Sequence, residues 1–133
     1  VHEILAELKE LNEVNLLISR YHAQGLISSD DVSILRDQLD RVLANPEVVK
    51  WFEGKWDVKT ESAILSEDGE LRPDRVMTRD KRAVIVDFKT GKEEPQHTRQ
   101  LIRYRNKLIE MGYQTVSAYL LYITSNKVKE IAG

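Results

Sequence analysis

Apolar residues in the first 54 positions return every three or four residues, the spacing of one face of a helix. Ile4, Leu5, Leu8 and Leu11 share such a face, and Val14, Leu17, Ile18 and Tyr21 repeat the pattern up to Gly25, a helix stop. Ser28 or Ser29 caps the next helix, whose apolar side is Val32, Leu35, Leu39, Val42 and Leu43. Asn45-Pro46 then restarts a short helical turn carrying Val48, Trp51 and Phe52, because proline suits a first helical position, and Gly54 ends it.

The period then changes. Trp56, Val58, Thr60, Ser62 and Ile64 alternate with more polar neighbours, as in a half-buried strand. Asp68-Gly69 signals a hairpin into a second strand over about 71–78. Residues 83–90 form a short apolar burst that suits a central strand covered on both faces. Pro95 opens a helix to about Met111, stopped by Gly112, and 115–123 and 127–132 read as two more strands. The pattern predicts an α/β fold: a mixed β-sheet flanked by helices, with a helical part over 1–54 and a sheet-and-helix part over 55–133.

Composition narrows this picture. A chain of 133 residues, 41% hydrophobic and 32% charged, fits one globular domain. No apolar run approaches about 18 residues and no signal-peptide pattern opens the chain, so neither a membrane span nor secretion is expected. The absence of cysteine excludes disulfides, a thiol nucleophile, cysteine-bound zinc and a cysteine-ligated iron–sulfur cluster, and fits a cytoplasmic protein. The chain opens on Val1 rather than Met, as expected of a piece of a longer protein. The net charge of −2 is unevenly divided: residues 1–70 carry 7 basic and 15 acidic side chains, whereas 71–107 carry 11 basic and 5 acidic. Clustered Lys and Arg attract phosphates by releasing counterions, so the middle block points to an anionic partner unless the blocks pair within the fold.

Candidate chemistry lies in that block. Strand alternation puts Asp87 and Lys89 on one face, and a hairpin around residues 79–82 would bring Asp74 beside Asp87. Two carboxylates held close repel unless a cation lies between them, and a hard ion such as Mg²⁺ takes oxygen ligands. An acid two residues before a Lys recurs at Glu7–Lys9, Glu53–Lys55 and Asp57–Lys59, but only Asp87–Lys89 closes an apolar strand and has an acid on a neighbouring strand. The next helix places His97, Gln100, Leu101, Tyr104, Leu108 and Met111 in one stripe, so Gln100 and Tyr104 occupy a face that is otherwise mostly apolar. Its remaining sides carry Arg99, Arg103, Arg105 and Lys107, suited to a phosphate backbone. His97 reads as a residue at the helix start facing solvent, His22 as surface, and Glu61 as an exposed strand carboxylate and a weaker site candidate. Neither a Gly-x-Ser-x-Gly elbow nor a Gly-rich phosphate loop is present, which removes serine hydrolysis and a nucleotide-driven motor.

Three ordered segments resemble the PD-(D/E)XK nuclease superfamily, and within it the RecB-type nuclease domains of bacterial helicase–nucleases: Leu71-Arg72-Pro73-Asp74-Arg75-Val76, Val84-Ile85-Val86-Asp87-Phe88-Lys89-Thr90-Gly91 and Gln100-Leu101-Ile102-Arg103-Tyr104. The opening Val1-His2-Glu3-Ile4-Leu5 is similar to that family's first core helix, which carries an additional histidine ligand. The resemblance implies a restriction-endonuclease-like fold with Asp74, Asp87 and Lys89 as catalytic residues. It implies a Mg²⁺ ion, replaceable by Mn²⁺, held by His2, Asp74, Asp87 and the Phe88 carbonyl, and no iron–sulfur cluster. Gln100 and Tyr104, with Arg75 and Arg103, would then engage DNA. The activity implied is DNA exonuclease action in a monomeric domain fed single strands by a fused helicase during DNA repair or recombination. The rival expectation is a nuclease-like DNA-binding or docking module without turnover.

Overall fold

The computed structural model describes residues 2–60 and 73–131. The expected strand residues Ser62 and Ile64, the Asp68-Gly69 hairpin, Leu71, Arg72 and the candidate Glu61 lie outside them.

Helix α1 (His2–Glu7) is short and is followed by a 3₁₀ turn, Leu11–Glu13, before α2 (Val14–Ala23). The first apolar stripe is therefore broken: Leu8 is fully buried but Leu11 is 37% exposed. The Leu8 and Lys9 carbonyls, which in a continuous helix would accept from residues 12 and 13, accept instead from the guanidinium of Arg75. Helix α3 (Ser29–Leu43) starts where Ser28 and Asp31 form a reciprocal capping box. Asn45 caps α4 (Pro46–Val49), which has proline in its first turn and runs into a 3₁₀ turn, Lys50–Phe52.

Five strands make one sheet in sequence order: β1 (Asp57–Thr60), β2 (Arg75–Arg79), β3 (Arg82–Lys89), β4 (Thr115–Tyr122) and β5 (Lys127–Glu130). Neighbours are antiparallel except β3 and β4, which run parallel because α5 (Pro95–Glu110) crosses between them. The architecture is mixed α/β. One face of the sheet, through Met77, Val86, Phe88 and Leu121, packs on Leu5, Leu17, Leu39 and Trp51 of the helical half. The other, through Val76, Ala83, Ile85 and Leu120, packs on Leu101 and Leu108 of α5. Alternate residues of β3 thus enter two apolar layers, which is why its sequence is a continuous apolar run. No helix among the described residues is long and apolar enough to cross a membrane.

The stripe of α5 is apolar only where it meets the sheet. Leu101 and Leu108 are buried, whereas Met111 is 72% exposed at the helix end. Replacing Leu39, which is fully buried between helices and sheet, with Ala is expected to lower unfolding free energy by about 2–5 kcal/mol in urea titration. Leu16→Ala, at 57% exposure, is expected to stay within about 0.5 kcal/mol.

Candidate metal centre

The β2–β3 hairpin positions the two acids. Its ladder runs from Arg75 opposite Val86 to Arg79 opposite Arg82, and Asp80 makes the turn with a φ of 55°, a left-handed conformation that aspartate tolerates. Asp74 and Asp87 lie equally far from this turn, one step beyond the last ladder pair. There each side chain takes over from the ladder. The Asp74 N–H donates to Asp87 Oδ1 at 3.1 Å, and the Phe88 N–H donates to Asp74 Oδ2 at 2.8 Å. The two carboxylates are thereby clasped to each other's strands.

Two basic side chains close the group. Lys89 Nζ lies 3.0 Å from Asp87 Oδ2, and His2 Nε2 lies 3.2 Å from Asp74 Oδ2. The His2 ring meets Phe88 edge-on, with centroids 6.3 Å apart. Its pKa is raised from 6.5, chiefly by the hydrogen bond to Asp74; partial burial opposes the rise, while the Asp74 charge, the Phe88 backbone and Asp87 add to it. The side chains grade from interior to surface: Asp74 is 6% exposed, Asp87 19%, Lys89 26% and His2 36%. A buried carboxylate thus stands beside a more accessible one.

His2, Asp74, Asp87 and the Phe88 backbone are thus drawn together from three separate stretches of chain. Among the described residues, no three His, Asp or Glu side chains already stand as a metal cage. The reason is visible in the contacts: His2 hydrogen bonds to Asp74, and Asp87 is turned to Lys89. An imidazole, two carboxylates and a carbonyl suit a hard or borderline divalent ion. A cation placed here would compete with the His2 contact to Asp74 and the Lys89 contact to Asp87.

The accessory residues fall differently. Gln100 is exposed, and no hydrogen bond or ion pair among the described residues joins it to Asp74, Asp87 or Lys89. Tyr104 is half-buried and lines a shallow pocket with Lys59, Pro73, Val76 and Tyr113, one residue from Asp74. Arg103 is exposed on α5. Arg75 corrects the expectation of a DNA contact. Its side chain is fully buried, donates to the carbonyls of Leu8, Lys9 and Trp51, and lies 4.2 Å above the Phe52 ring, so it cannot touch a bound strand. Strand alternation sends its side chain to the face opposite Asp74, the face on which Val86 packs against the helical half. His97 is likewise not a solvent-facing residue. Its side chain is 13% exposed, with Nδ1 3.3 Å from the Tyr122 hydroxyl and Nε2 3.6 Å from Glu94. His22 is exposed, as expected, and pairs with Ser29.

No family model, curated protein or solved structure matches this chain.

In metal-free protein, NMR titration is expected to place the His2 pKa above 6.5, and Asp74→Asn to remove most of the rise. Because the folded value exceeds the unfolded one, the pair's contribution to stability is fully present below pH 6.5 and is lost as pH rises through the folded pKa. A His2 that titrates below 6.5 would contradict the observed contact.

Proposed function

We propose that this chain is a Mg²⁺-dependent DNA exonuclease domain of the PD-(D/E)XK type, with a restriction-endonuclease-like fold. It works within a larger cytoplasmic helicase–nuclease of DNA repair or recombination, as a monomeric unit supplied with single strands. The observation that carries this reading is the convergence of the two motif acids, the motif lysine and the helix histidine at one end of the sheet. Asp74, Asp87, His2 and the Phe88 carbonyl hold the ion, for which Mn²⁺ substitutes. When bound, such an ion supplies a water of lowered pKa and neutralises charge developing on phosphate oxygens.

The remaining chemistry belongs to the chain. Lys89, released by Asp87, presents a fixed positive charge beside the scissile phosphate and orients the attacking water, at a point where charge grows in the transition state. Asp74, clasped by the Phe88 N–H, keeps the ligand set rigid. Arg99 and Arg103 on α5, with Gln100 and Tyr104, track the strand on the same side of the sheet. Delivery of substrate by a fused helicase makes net positive charge unnecessary, because local concentration replaces electrostatic capture.

One observation favours a second reading. Asp74 and Asp87 already have hydrogen-bonded partners without an ion, as a nuclease-like DNA-docking module would require. Calorimetric titration with Mn²⁺ separates the two, since a docking module needs no ion here.

Degradation of end-labelled linear single-stranded DNA is expected with Mg²⁺ or Mn²⁺ and not in EDTA. Asp87→Ala and Lys89→Ala are each expected to slow it by roughly 100-fold or more. Undiminished cleavage by either variant overturns the roles assigned to these residues.

A further inference from the structure

Arg75 is an unusual buried cation. It is fully enclosed, and its hydrogen-bond partners are three backbone carbonyls rather than a carboxylate: Leu8 and Lys9 just after α1, and Trp51 in the turn after α4. Phe52 supplies a flat ring 4.2 Å beneath the guanidinium, and Nε has no partner. Burial lowers the Arg75 pKa to about 10, with Glu13 opposing, so the side chain stays charged at neutral pH. A charge buried in this way is costly, and the site uses properties that Lys lacks: a rigid planar fork that reaches acceptors on two segments at once and a flat face that stacks on Phe52.

The segments it joins matter. Asp74 and Arg75 are consecutive, so their side chains leave the strand on opposite sides. Asp74 holds His2 at the start of α1, while Arg75 holds the carbonyls just past its end. A helix of six residues with no basic residue in its last turn has little stability of its own. Its placement comes from the burial of Ile4 and Leu5, with Leu8 just beyond its end, from these two polar attachments and from the Tyr21 hydroxyl, which donates to Glu7 at 2.8 Å.

We infer that Arg75 is a positioning residue for the metal centre, one that fixes α1 against β2 so that His2 completes the ligand set begun by Asp74. The inference rests on the metal-centre reading above. Arg75 touches neither ion nor substrate and acts only through His2. Groups hydrogen-bonded directly to metal ligands are worth roughly 10–100-fold in metal affinity, and Arg75 acts one step further out, through the placement of α1.

A double-mutant cycle on the whole chain tests it, with Mn²⁺ affinity from calorimetry as the readout and far-UV circular dichroism as the check on folding. Arg75→Lys keeps the charge and removes the fork. It is expected to weaken Mn²⁺ binding by about 10-fold or more, and His2→Ala to weaken it similarly in the unaltered chain. In the Arg75→Lys background His2→Ala is expected to cost little further. Equal losses from His2→Ala in both backgrounds would show that Arg75 serves stability alone and would overturn the inference, while leaving the metal centre standing. No Mn²⁺ binding by the unaltered chain would overturn the metal-centre reading and this inference with it. Should Arg75→Lys fail to fold, Phe52→Leu removes the ring under the guanidinium and none of its hydrogen bonds. It is expected to reduce the His2 contribution in the same direction, and an undiminished contribution overturns the inference.

Discussion

Asp74 and Asp87 stay together at the end of the β2–β3 hairpin because each accepts a hydrogen bond from the backbone of the other's strand. Like charges at such separation repel, and in a partly buried setting the repulsion is weakly screened. Two amide donors offset part of that cost, and Lys89 and His2 offset more. The arrangement is compact, its negative charge directed to one small volume at the end of two interior strands. A divalent ion there would replace two monovalent contacts with one stronger centre, leaving the amide clasp intact.

The rest of the fold supports this pairing. Strand β3 is buried on both faces, so the carboxylate of Asp87 and the ammonium of Lys89 leave a rigid base. Arg75 and Phe52 lock the same hairpin to the helical half, where α1 brings in His2. On the opposite layer, α5 sets Tyr104 over a pocket reaching Pro73 and places its basic residues beyond. Each layer therefore contributes something distinct: carboxylates from the hairpin, an imidazole from the helical side, and polar and basic groups from α5.

Much of this was legible in the residues, for identifiable reasons. Ser28 and Asn45 marked helix starts because their side chains satisfy the free amides there. Asp74 and Asp87 could be brought together from spacing alone, since both are equidistant from the Asp80-Lys81 turn and an antiparallel pair must align such positions. Arg75 was not legible as a buried group: its three acceptors lie 24 to 67 residues away, and nothing local to it distinguishes a surface Arg from a structural one. The break after α1 escaped the apolar pattern for the same cause, as the carbonyls that would have continued the helix are taken by Arg75. Gln100 and Met111 share a stripe with Leu101 and Leu108, yet they are exposed, because a helical stripe shows which residues face one way and not how far the sheet extends beneath them.

The decisive question is whether a cation belongs between the clasped carboxylates. Anomalous diffraction from a crystal soaked in Mn²⁺ answers this without presupposing a reaction. A single strong peak is expected about 2 Å from oxygens of both Asp74 and Asp87, with His2 turned to the metal and Lys89 released. A crystal with no peak at this site, in which Asp74 keeps its contact with His2 and Asp87 keeps Lys89, would contradict the metal-centre reading.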